Sequence, residues 1–129
     1  MIYVDTNLFM YAVGREHPLG PEAREFFLSA LETGEALVSS AEALQELLHA
    51  YLPVAREETL DAALTLAQGR LAQIWPVEVD DVLLARSLAG RHPGLGARDL
   101  LHLATCHRRG VRRMKTFDRA LAAAFHRKR

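Results

Sequence analysis

The chain contains 129 residues, half of them hydrophobic and a quarter charged, and its 16 basic and 16 acidic residues give a formal net charge of zero. This length fits a single domain over residues 1–129, because one core usually serves about 100–200 residues, and the composition excludes a disordered, fibrous or disulfide-stapled protein. Cys106 is the only cysteine and no apolar run approaches the roughly 18–20 residues that cross a bilayer, which excludes internal disulfides, thiolate-based zinc sites and membrane spans.

Short runs of β-forming residues alternate along the chain with segments of helical periodicity. The predicted strands, in chain order, are Ile2–Val4, Ala36–Ser40, Trp75–Val79 and Val111–Thr116. Seven helices are predicted: one after Asp5, then Pro21–Leu31, Ala43–Tyr51, Glu57–Ala72, one that begins at Asp80, Ala97–Arg109, and one after Asp118. In the fifth, Asp80 is the predicted cap and the inward residues are Val82, Leu83, Ala85 and Leu88. Gly110 is predicted to end the sixth. Strands that alternate with helices imply βαβ crossovers, and therefore an α/β fold whose parallel sheet is covered by helices on both faces.

Four acidic residues are predicted to lie at one edge of this sheet. Asp5 ends the first strand, and Glu46 lies in the first turns of the helix after the second strand. Asp99 opens the helix before the last strand, and Asp118 follows that strand. Ligands of open α/β sheets bind beyond the carboxyl ends of the strands, so we expect these four side chains to converge.

Clustered carboxylates predict a cation site. Carboxylates that are brought close together repel one another unless a cation holds them. Magnesium and manganese prefer oxygen ligands and keep several waters, so a few carboxylates can hold one or two ions against substrate phosphates. Such ions make a bound water nucleophilic and stabilise the charge that develops during phosphodiester cleavage. The predicted chemistry is therefore hydrolysis by in-line attack of water.

Polar residues accompany the acids at the ends of the strands. Thr6 and Asn7 follow Asp5, and Ser40 and Thr116 close the second and fourth strands. Their hydroxyl and amide groups can orient waters or a phosphate, or they can cap helices and form turns. We assign Asn7 and Thr116 to the site and leave both interpretations open for Thr6 and Ser40.

The acids also have structural interpretations. Asp5 and Asp118 can cap the helices that follow them. Asp99 can stabilise the positive end of its helix dipole and pair with Arg98, which is compatible with a metal role. Two further acids are assigned wholly to capping: Asp80 and Asp81.

Two assignments remain open: which glutamate is the second acid, and what role His102 has beside the third. Glu42 lies one helical turn before Glu46 on a similar face and is its rival as the second acid. Asp99 and His102 form an i,i+3 pair that suggests zinc, but the apolar residues around His102 favour a hydrogen-bonded, partly buried imidazole, with water positioning as a lesser role. Tyr3 is assigned to core packing.

The charges are divided unevenly along the chain. Residues 1–97 carry 6 basic and 14 acidic residues, a net charge of −8, whereas residues 98–129 carry 10 basic and 2 acidic residues, a net charge of +8. The basic segment can lie along a phosphate backbone or form a solvated tail, and charge alone does not separate these interpretations. The only two acids of this segment are Asp99 and Asp118, which belong to the predicted site. The basic residues therefore flank that site, which modestly favours a nucleic-acid substrate.

Four motifs then occur in a characteristic order: MIYVDTNLF, LVSSAEALQELL, GLGARDLLHLATC and MKTFDRAL. Together they resemble the PIN-domain nucleases, specifically the VapC-type toxins of prokaryotic toxin–antitoxin pairs. The resemblance implies a PIN-like three-layer α/β/α fold with a mostly parallel sheet of four to five strands. It further implies Mg²⁺- or Mn²⁺-dependent endonucleolytic cleavage of RNA, a small antitoxin partner and a homodimer. The conserved acids of that family fall on Asp5, Glu46, Asp99 and Asp118, with Asn7 and Thr116 as supporting polar groups.

Two other functions agree less well with the sequence. A phosphate-accepting receiver domain needs paired acids after its first strand and a Lys-Pro at its last strand, whereas Thr6 follows Asp5 and Thr116 follows Lys115. A non-catalytic PIN-like binding module for nucleic acid or protein is disfavoured because all four acids are present. The N-terminus shows no secretory signal, and the lone cysteine suits a reducing compartment, so we expect a cytoplasmic protein without a membrane partner.

Overall fold

The computed structural model describes residues 1–127, so Lys128 and Arg129 of the basic segment lie outside the described residues. The strands are β1 (Ile2–Val4), β2 (Leu37–Ser40), β3 (Gln73–Trp75) and β4 (Met114–Lys115). The helices are α1 (Thr6–Val13), α2 (Gly20–Thr33), α3 (Ala41–Tyr51), α4 (Glu57–Arg70), α5 (Val79–Ala89), α6 (Ala97–Arg108) and α7 (Arg119–His126), and a short 3-10 turn, Leu52–Val54, follows α3. Within this part of the chain, no helix has the length and apolarity that crossing a membrane requires.

The four strands form one sheet in the order β3-β2-β1-β4. Each recorded pair is parallel, and Tyr3 of β1 lies opposite Val38 of β2 on one side and Met114 of β4 on the other. The carboxyl ends of the strands therefore share one edge, from which α1, α3 and the segment before α7 begin. This topology confirms the predicted mostly parallel sheet, with four strands in the described residues.

Alternate side chains of the sheet enter two separate cores. Tyr3 and Val38 pack against apolar residues of α5, α6 and α7. Val4 and Leu37, one position along, pack on the opposite face against residues of α1, α2, α3 and α4. Successive side chains of a strand point to opposite faces, so a fully buried strand must be apolar on both. The result is the predicted arrangement of three layers, α/β/α.

Two predicted strands had wrong bounds. The third strand was expected at Trp75–Val79 but ends at Trp75, because Pro76 lacks the N–H that continued pairing requires. Val79 is instead 75% exposed at the start of α5. The last strand is shorter than the predicted Val111–Thr116, because the Val111 N–H bonds to the carbonyl of Cys106 at the end of α6 rather than to a strand. Gly110 adopts a φ of 67° after α6, which confirms it as the stop signal.

The start of α5 differs from the prediction. The N-cap is Glu78 rather than Asp80, and the Asp81 carboxylate accepts a hydrogen bond of 2.8 Å from the backbone N–H of Glu78. The predicted inward stripe was wrong for Val82 and Leu83, which are 50% and 61% exposed. The buried face instead carries Asp81, Ala85 and Leu88.

The assignment of Asp81 wholly to capping was also wrong. Its buried carboxylate accepts hydrogen bonds from Arg108 at 2.8 Å and Arg109 at 2.9 Å. Burial acts to raise the pKa of Asp81, but the Glu78 N–H and the two arginines outweigh it and lower that pKa. Asp80 remains exposed, 3.8 Å from Arg108. Asp81 therefore joins α5 to the end of α6 as the buried centre of an ion-pair cluster.

Candidate active site

Asp5 lies where β1 ends and α1 begins. Its Oδ1 accepts a hydrogen bond of 2.7 Å from the N–H of Thr6, so Asp5 does cap α1. Its Oδ2 accepts a second bond of 2.6 Å from the hydroxyl of Thr116, which follows β4. The side chain is almost fully buried, and burial raises the pKa of Asp5 despite the nearby His102 and the Thr116 bond. The Asp5 carboxylate thus caps α1 and also belongs to the candidate site.

Glu46 reaches the same edge from α3. Its Oε1 lies 2.7 Å from Nε2 of His102, which is fully buried on α6. Burial acts to raise the pKa of Glu46, but the hydrogen bond and charge of His102 outweigh it and lower that pKa. Glu42 lies one turn earlier, and burial together with the charge of Glu46 raises its pKa. The structure thus brings Glu46 rather than Glu42 into contact with His102.

Among the described residues, one group of three side chains is close enough to share a metal ion. It contains Asp5, Glu46 and His102, whose ligand atoms all lie within 4.8 Å of one another. His102 Nε2 lies 3.6 Å from Asp5 Oδ1 and 2.7 Å from Glu46 Oε1. Neighbouring ligands around an ion with bonds of about 2.1 Å stand about 3 Å apart. The carboxylates of Asp5 and Glu46 therefore lie close enough together to hold a divalent cation, with His102 beside both of them.

Asp99 and Asp118 lie around this group of three rather than within it. Asp99 is half-buried in the first turn of α6. Burial, followed by the charges of Asp118, Asp5 and Glu46, raises the pKa of Asp99 to about 6. Carboxylates influence one another in this way only when they are near, so Asp99 lies close to Asp118, Asp5 and Glu46.

Asp118 has a visible structural role as well. Its Oδ1 accepts a hydrogen bond of 3.0 Å from the N–H of Leu121 and so caps α7. Its backbone N–H in turn bonds to Thr116 Oγ1 at 2.9 Å. The capping interpretation of this acid is therefore correct, while its charge still acts on Asp99.

Asn7 and Thr116 connect the ends of β1 and β4. Thr116 donates to Asp5 and accepts bonds from the N–H of Asp118 and, at 3.4 Å, from the amide of Asn7. The Asn7 carbonyl oxygen accepts from the N–H of Phe117 at 3.3 Å. These bonds fix the orientation of Asp5 relative to the segment that carries Asp118.

Thr6 and Ser40, left open by the sequence, are both buried. The Thr6 hydroxyl lies 3.4 Å from the carbonyl of Ala43, and a hydrogen bond from Thr6 helps to lower the pKa of Glu46. Ser40 occupies the N-cap position of α3, but its side chain makes no cap bond and pairs instead with the Tyr3 hydroxyl at 2.8 Å. Both hydroxyls therefore serve the edge that holds the acids.

Sequence reasoning missed the role of Tyr3. It was assigned to core packing, and its ring is indeed buried, but its hydroxyl lies 2.5 Å from His102 Nδ1. A usable signal existed, because Asp5 directly follows β1 in extended backbone, and residues two apart in extended backbone point to the same side. His102 was expected to be partly buried and is fully buried.

The basic residues do not all face the acids. Arg108 and Arg109 bond to Asp81, while Arg113 pairs with Glu35 and Lys115 lies 3.6 Å from Glu22. Arg98 does face the acids and lowers the pKa of Glu46. It lines an open depression of about 450 Å³ whose other lining residues are Glu46, Gly96, Ala97 and Asp99. One arginine therefore stands where a phosphate next to the carboxylates would lie.

Comparison with known proteins agrees with this geometry. A family model described as PIN domain matches residues 2–125. The chain is 66% identical over 125 residues to Ribonuclease VapC23 of Mycobacterium tuberculosis, with 97% of this chain and 98% of that protein covered. It is 40% identical over 119 residues to VapC ribonuclease Mb1869c of Mycobacterium bovis, with 92% and 91% covered.

A solved structure shows the same fold. The crystal structure of Mycobacterium tuberculosis VapC20, described as a sarcin-ricin loop cleaving toxin, superposes with a TM-score of 0.83. The match covers 96% of this chain and 95% of that chain at 18% identity, so it speaks for the fold alone. With the family model and the ribonuclease relatives, the conclusion is that this chain belongs to the PIN-domain family, among the VapC-type ribonucleases.

Proposed function

We propose that this protein is an Mg²⁺- or Mn²⁺-dependent endoribonuclease and the toxin of a type II toxin–antitoxin pair. The observation that carries the proposal is that ligand atoms of Asp5 and Glu46 lie within 4.8 Å of each other. Asp99 lies nearby, where burial and then the charges of Asp118, Asp5 and Glu46 raise its pKa to about 6. Clustered negative charge of this kind is costly unless a cation occupies the site. The VapC ribonucleases that share its sequence support RNA as the substrate.

The mechanism assigns a task to each group of residues. Asp5, Glu46, Asp99 and Asp118 would hold the cation, which when bound would supply an activated water and offset negative charge on the scissile phosphate. Thr116 and Asn7 keep the Asp5 carboxylate oriented through their hydrogen bonds. These contacts place the carboxylates before substrate arrives, which reduces the reorganisation that the reaction requires.

Arg98 gives the site its attraction for phosphate. Its exposed side chain lies beside Asp99 and Glu46, and a guanidinium can bind two phosphate oxygens at once. Its positive charge offsets the repulsion between the substrate backbone and the acidic cluster. We therefore expect the RNA backbone to pass over the first turn of α6.

Protein partners form part of the proposal. The exposed apolar residues Leu28 and Leu31 border a groove of about 260 Å³ between α2 and α4, and Val79 and Leu83 leave apolar surface on α5. Surfaces of this kind suit an antitoxin and a second copy of the chain. We expect the protein to act in the cytoplasm as a homodimer that the antitoxin holds inactive.

RNA cleavage by purified, antitoxin-free protein tests the proposal. Wild type is expected to cut RNA with added Mg²⁺ or Mn²⁺ and to stop when EDTA is added, and Asp5→Asn should abolish cutting while preserving the circular dichroism spectrum. The matched control is Asp61→Asn on α4, an exposed acid that should leave cutting unchanged. Failure of wild type to cut any RNA with either metal would favour a non-catalytic binding module instead.

A further inference from the structure

A chain of four buried or half-buried polar groups runs behind the acids. Ser40 Oγ lies 2.8 Å from the Tyr3 hydroxyl, which lies 2.5 Å from His102 Nδ1. On the other side of the imidazole, Nε2 lies 2.7 Å from Glu46 Oε1. Ser40, Tyr3 and His102 are each 0% exposed. The chain joins β2, β1, α6 and α3, so it ties together the elements that carry Asp5, Glu46 and Asp99.

Hydrogen-bond chemistry determines which nitrogen of the His102 imidazole carries a hydrogen towards Glu46. An ionised carboxylate can only accept, so the Nε2 next to Glu46 must carry a hydrogen. The Tyr3 hydroxyl can donate to Nδ1 of a neutral ring or accept from Nδ1–H of a charged ring, and Ser40 can adjust its own hydroxyl to either case. Nε2–H therefore faces Glu46 whichever charge the ring carries.

This arrangement places one donor beside both carboxylates. Oε1 of Glu46 accepts a hydrogen bond from His102 and keeps further lone pairs of the carboxylate for an ion. The same N–H lies 3.6 Å from Oδ1 of Asp5 and so faces both carboxylates. A donor that faces two acids offsets their mutual repulsion and keeps both carboxylates oriented, and the Tyr3 bond keeps the ring from rotating away.

We infer that Tyr3 and His102 are positioning residues for the metal site, and that His102 acts as a hydrogen-bond donor to its carboxylates rather than as a ligand. The inference rests on the proposed function, because it assigns how that site is held. It makes Tyr3, whose hydroxyl is separated from the carboxylates by the whole imidazole, a determinant of metal affinity. Outer partners of metal ligands typically contribute about 10- to 100-fold in metal affinity or activity.

The test measures Mn²⁺ affinity of the full-length protein by electron paramagnetic resonance, which needs no RNA substrate. Tyr3→Phe removes the hydroxyl behind the imidazole, His102→Leu removes the donor, and His102→Gln restores an N–H near the position of Nε2. The matched control is Tyr51→Phe, which removes a hydroxyl from another largely buried tyrosine in the core on the opposite face of the sheet. Thermal unfolding of all four variants reports their stability.

We expect Tyr3→Phe to weaken Mn²⁺ binding about 10-fold and His102→Leu about 10- to 100-fold. His102→Gln should lie closer to wild type than His102→Leu, and Tyr51→Phe should bind as wild type does. Cleavage by Tyr3→Phe should recover at saturating Mn²⁺, which a general loss of folding would not allow. If His102→Leu fails to fold, the comparison of Tyr3→Phe with Tyr51→Phe still decides the matter.

Several results would overturn the inference. Unchanged Mn²⁺ affinity in Tyr3→Phe would remove Tyr3 from the site while leaving the proposed nuclease intact. Electron spin echo modulation from a directly coordinated ¹⁴N that disappears in His102→Gln would make the imidazole a ligand instead of a donor. Absence of Mn²⁺ binding by wild type would refute the proposed function, and with it any positioning role.

Discussion

Asp81 and Asp99 both lie in the first turn of a helix, and the two helices, α5 and α6, pack against each other. The charged groups around Asp81 are mainly positive, whereas those around Asp99 are mainly negative. Asp81 bonds to Arg108 and Arg109, and these partners lower its pKa below the usual range. Asp99 has Asp118 and other carboxylates as neighbours, and its pKa is raised to about 6. One acid is neutralised by two bonded arginines, whereas burial and like charges outweigh the opposing charge of His102 at the other.

The comparison separates structural from functional use of the same side chain. A buried carboxylate that is paired with arginines holds helices together, and its loss leaves those arginines with exposed carboxylates as their ion-pair partners. A carboxylate held among other carboxylates costs stability and is explained by a ligand that removes the cost. Neutral substitutions should therefore have opposite consequences at the two positions.

The largest effect is expected from Asp99→Asn on cleavage. Loss of one ligand charge from the cation site should reduce the cleavage rate by more than about 100-fold, which exceeds what outer partners contribute. The free energy of unfolding should stay the same or increase, because one repelling charge is removed. Cleavage assays with Mg²⁺ and denaturant unfolding of metal-free protein check both parts. A stable variant that cuts at the wild-type rate would contradict the role of Asp99.

The opposite outcome is expected for Asp81→Ala. Removing the centre of the ion-pair cluster should lower the free energy of unfolding by about 3 kcal/mol, because Arg108 and Arg109 lose a buried partner. Mn²⁺ affinity of the folded variant should not change. The matched control is the adjacent, exposed Asp80→Ala, which should stay within about 0.5 kcal/mol of wild type. Equal effects of the two substitutions would show that the cluster adds nothing to stability.

The pH dependence of Asp99 gives a third, smaller effect. Its pKa of about 6 in the folded protein lies above the ordinary value of 3.8, so the folded state binds this proton more tightly than the unfolded state does. The contribution of Asp99 to stability without metal is therefore greatest at low pH and is lost as the pH rises through about 6. Mn²⁺ affinity should change in the other direction and fall below that pH, because protons then compete for the carboxylate.

Unfolding of metal-free protein between about pH 4 and pH 7 checks this prediction. Asp99→Asn should reduce the slope of unfolding free energy against pH, whereas the exposed control Asp61→Asn should keep the wild-type slope. An identical slope in wild type and Asp99→Asn would mean that Asp99 does not titrate in this range.

The smallest effect is expected from Thr116→Val. Its hydroxyl donates to Asp5 Oδ2 at 2.6 Å, and its loss should weaken Mn²⁺ binding by about 10-fold at most. Thr33→Val serves as the control, because the Thr33 hydroxyl bonds only to carbonyl groups of its own helix, Ser29 and Ala30. Equal Mn²⁺ affinities for Thr116→Val and wild type would show that Asp5 needs no support from this hydroxyl.

Much of the fold could be predicted because local pattern and tertiary position agree. The runs around Ile2–Val4 and Leu37–Ser40 are buried on both faces and are followed at once by helical periodicity, which is typical of parallel strands. The same property located Asp5, since an acid after such a strand must lie at the carboxyl edge. Prediction failed where a local signal was overridden, as at Pro76, which ends β3 before the β-forming Val77 and Val79.

The acids of the candidate site could be predicted from the sequence, but the side chains that contact them could not. Asp5, Glu46, Asp99 and Asp118 follow from position relative to strands and from the family motifs. The contact between Tyr3 and His102 joins residues 99 positions apart, and it depends on how α6 packs over β1. The pairing of Asp81 with two arginines has the same origin, since an N-terminal acid on a helix also satisfies the simpler capping rule.

The central claim is that carboxylates from separate elements share one cation. A double-mutant cycle of Mn²⁺ affinity by isothermal titration calorimetry tests it most directly, using Asp5→Asn, Asp99→Asn and the combined variant. Because both side chains would act on the same ion, we expect each single variant to weaken binding strongly and the double variant to lose much less than the sum of the two losses. Strictly additive losses, or single variants that bind as tightly as wild type, would contradict a shared site.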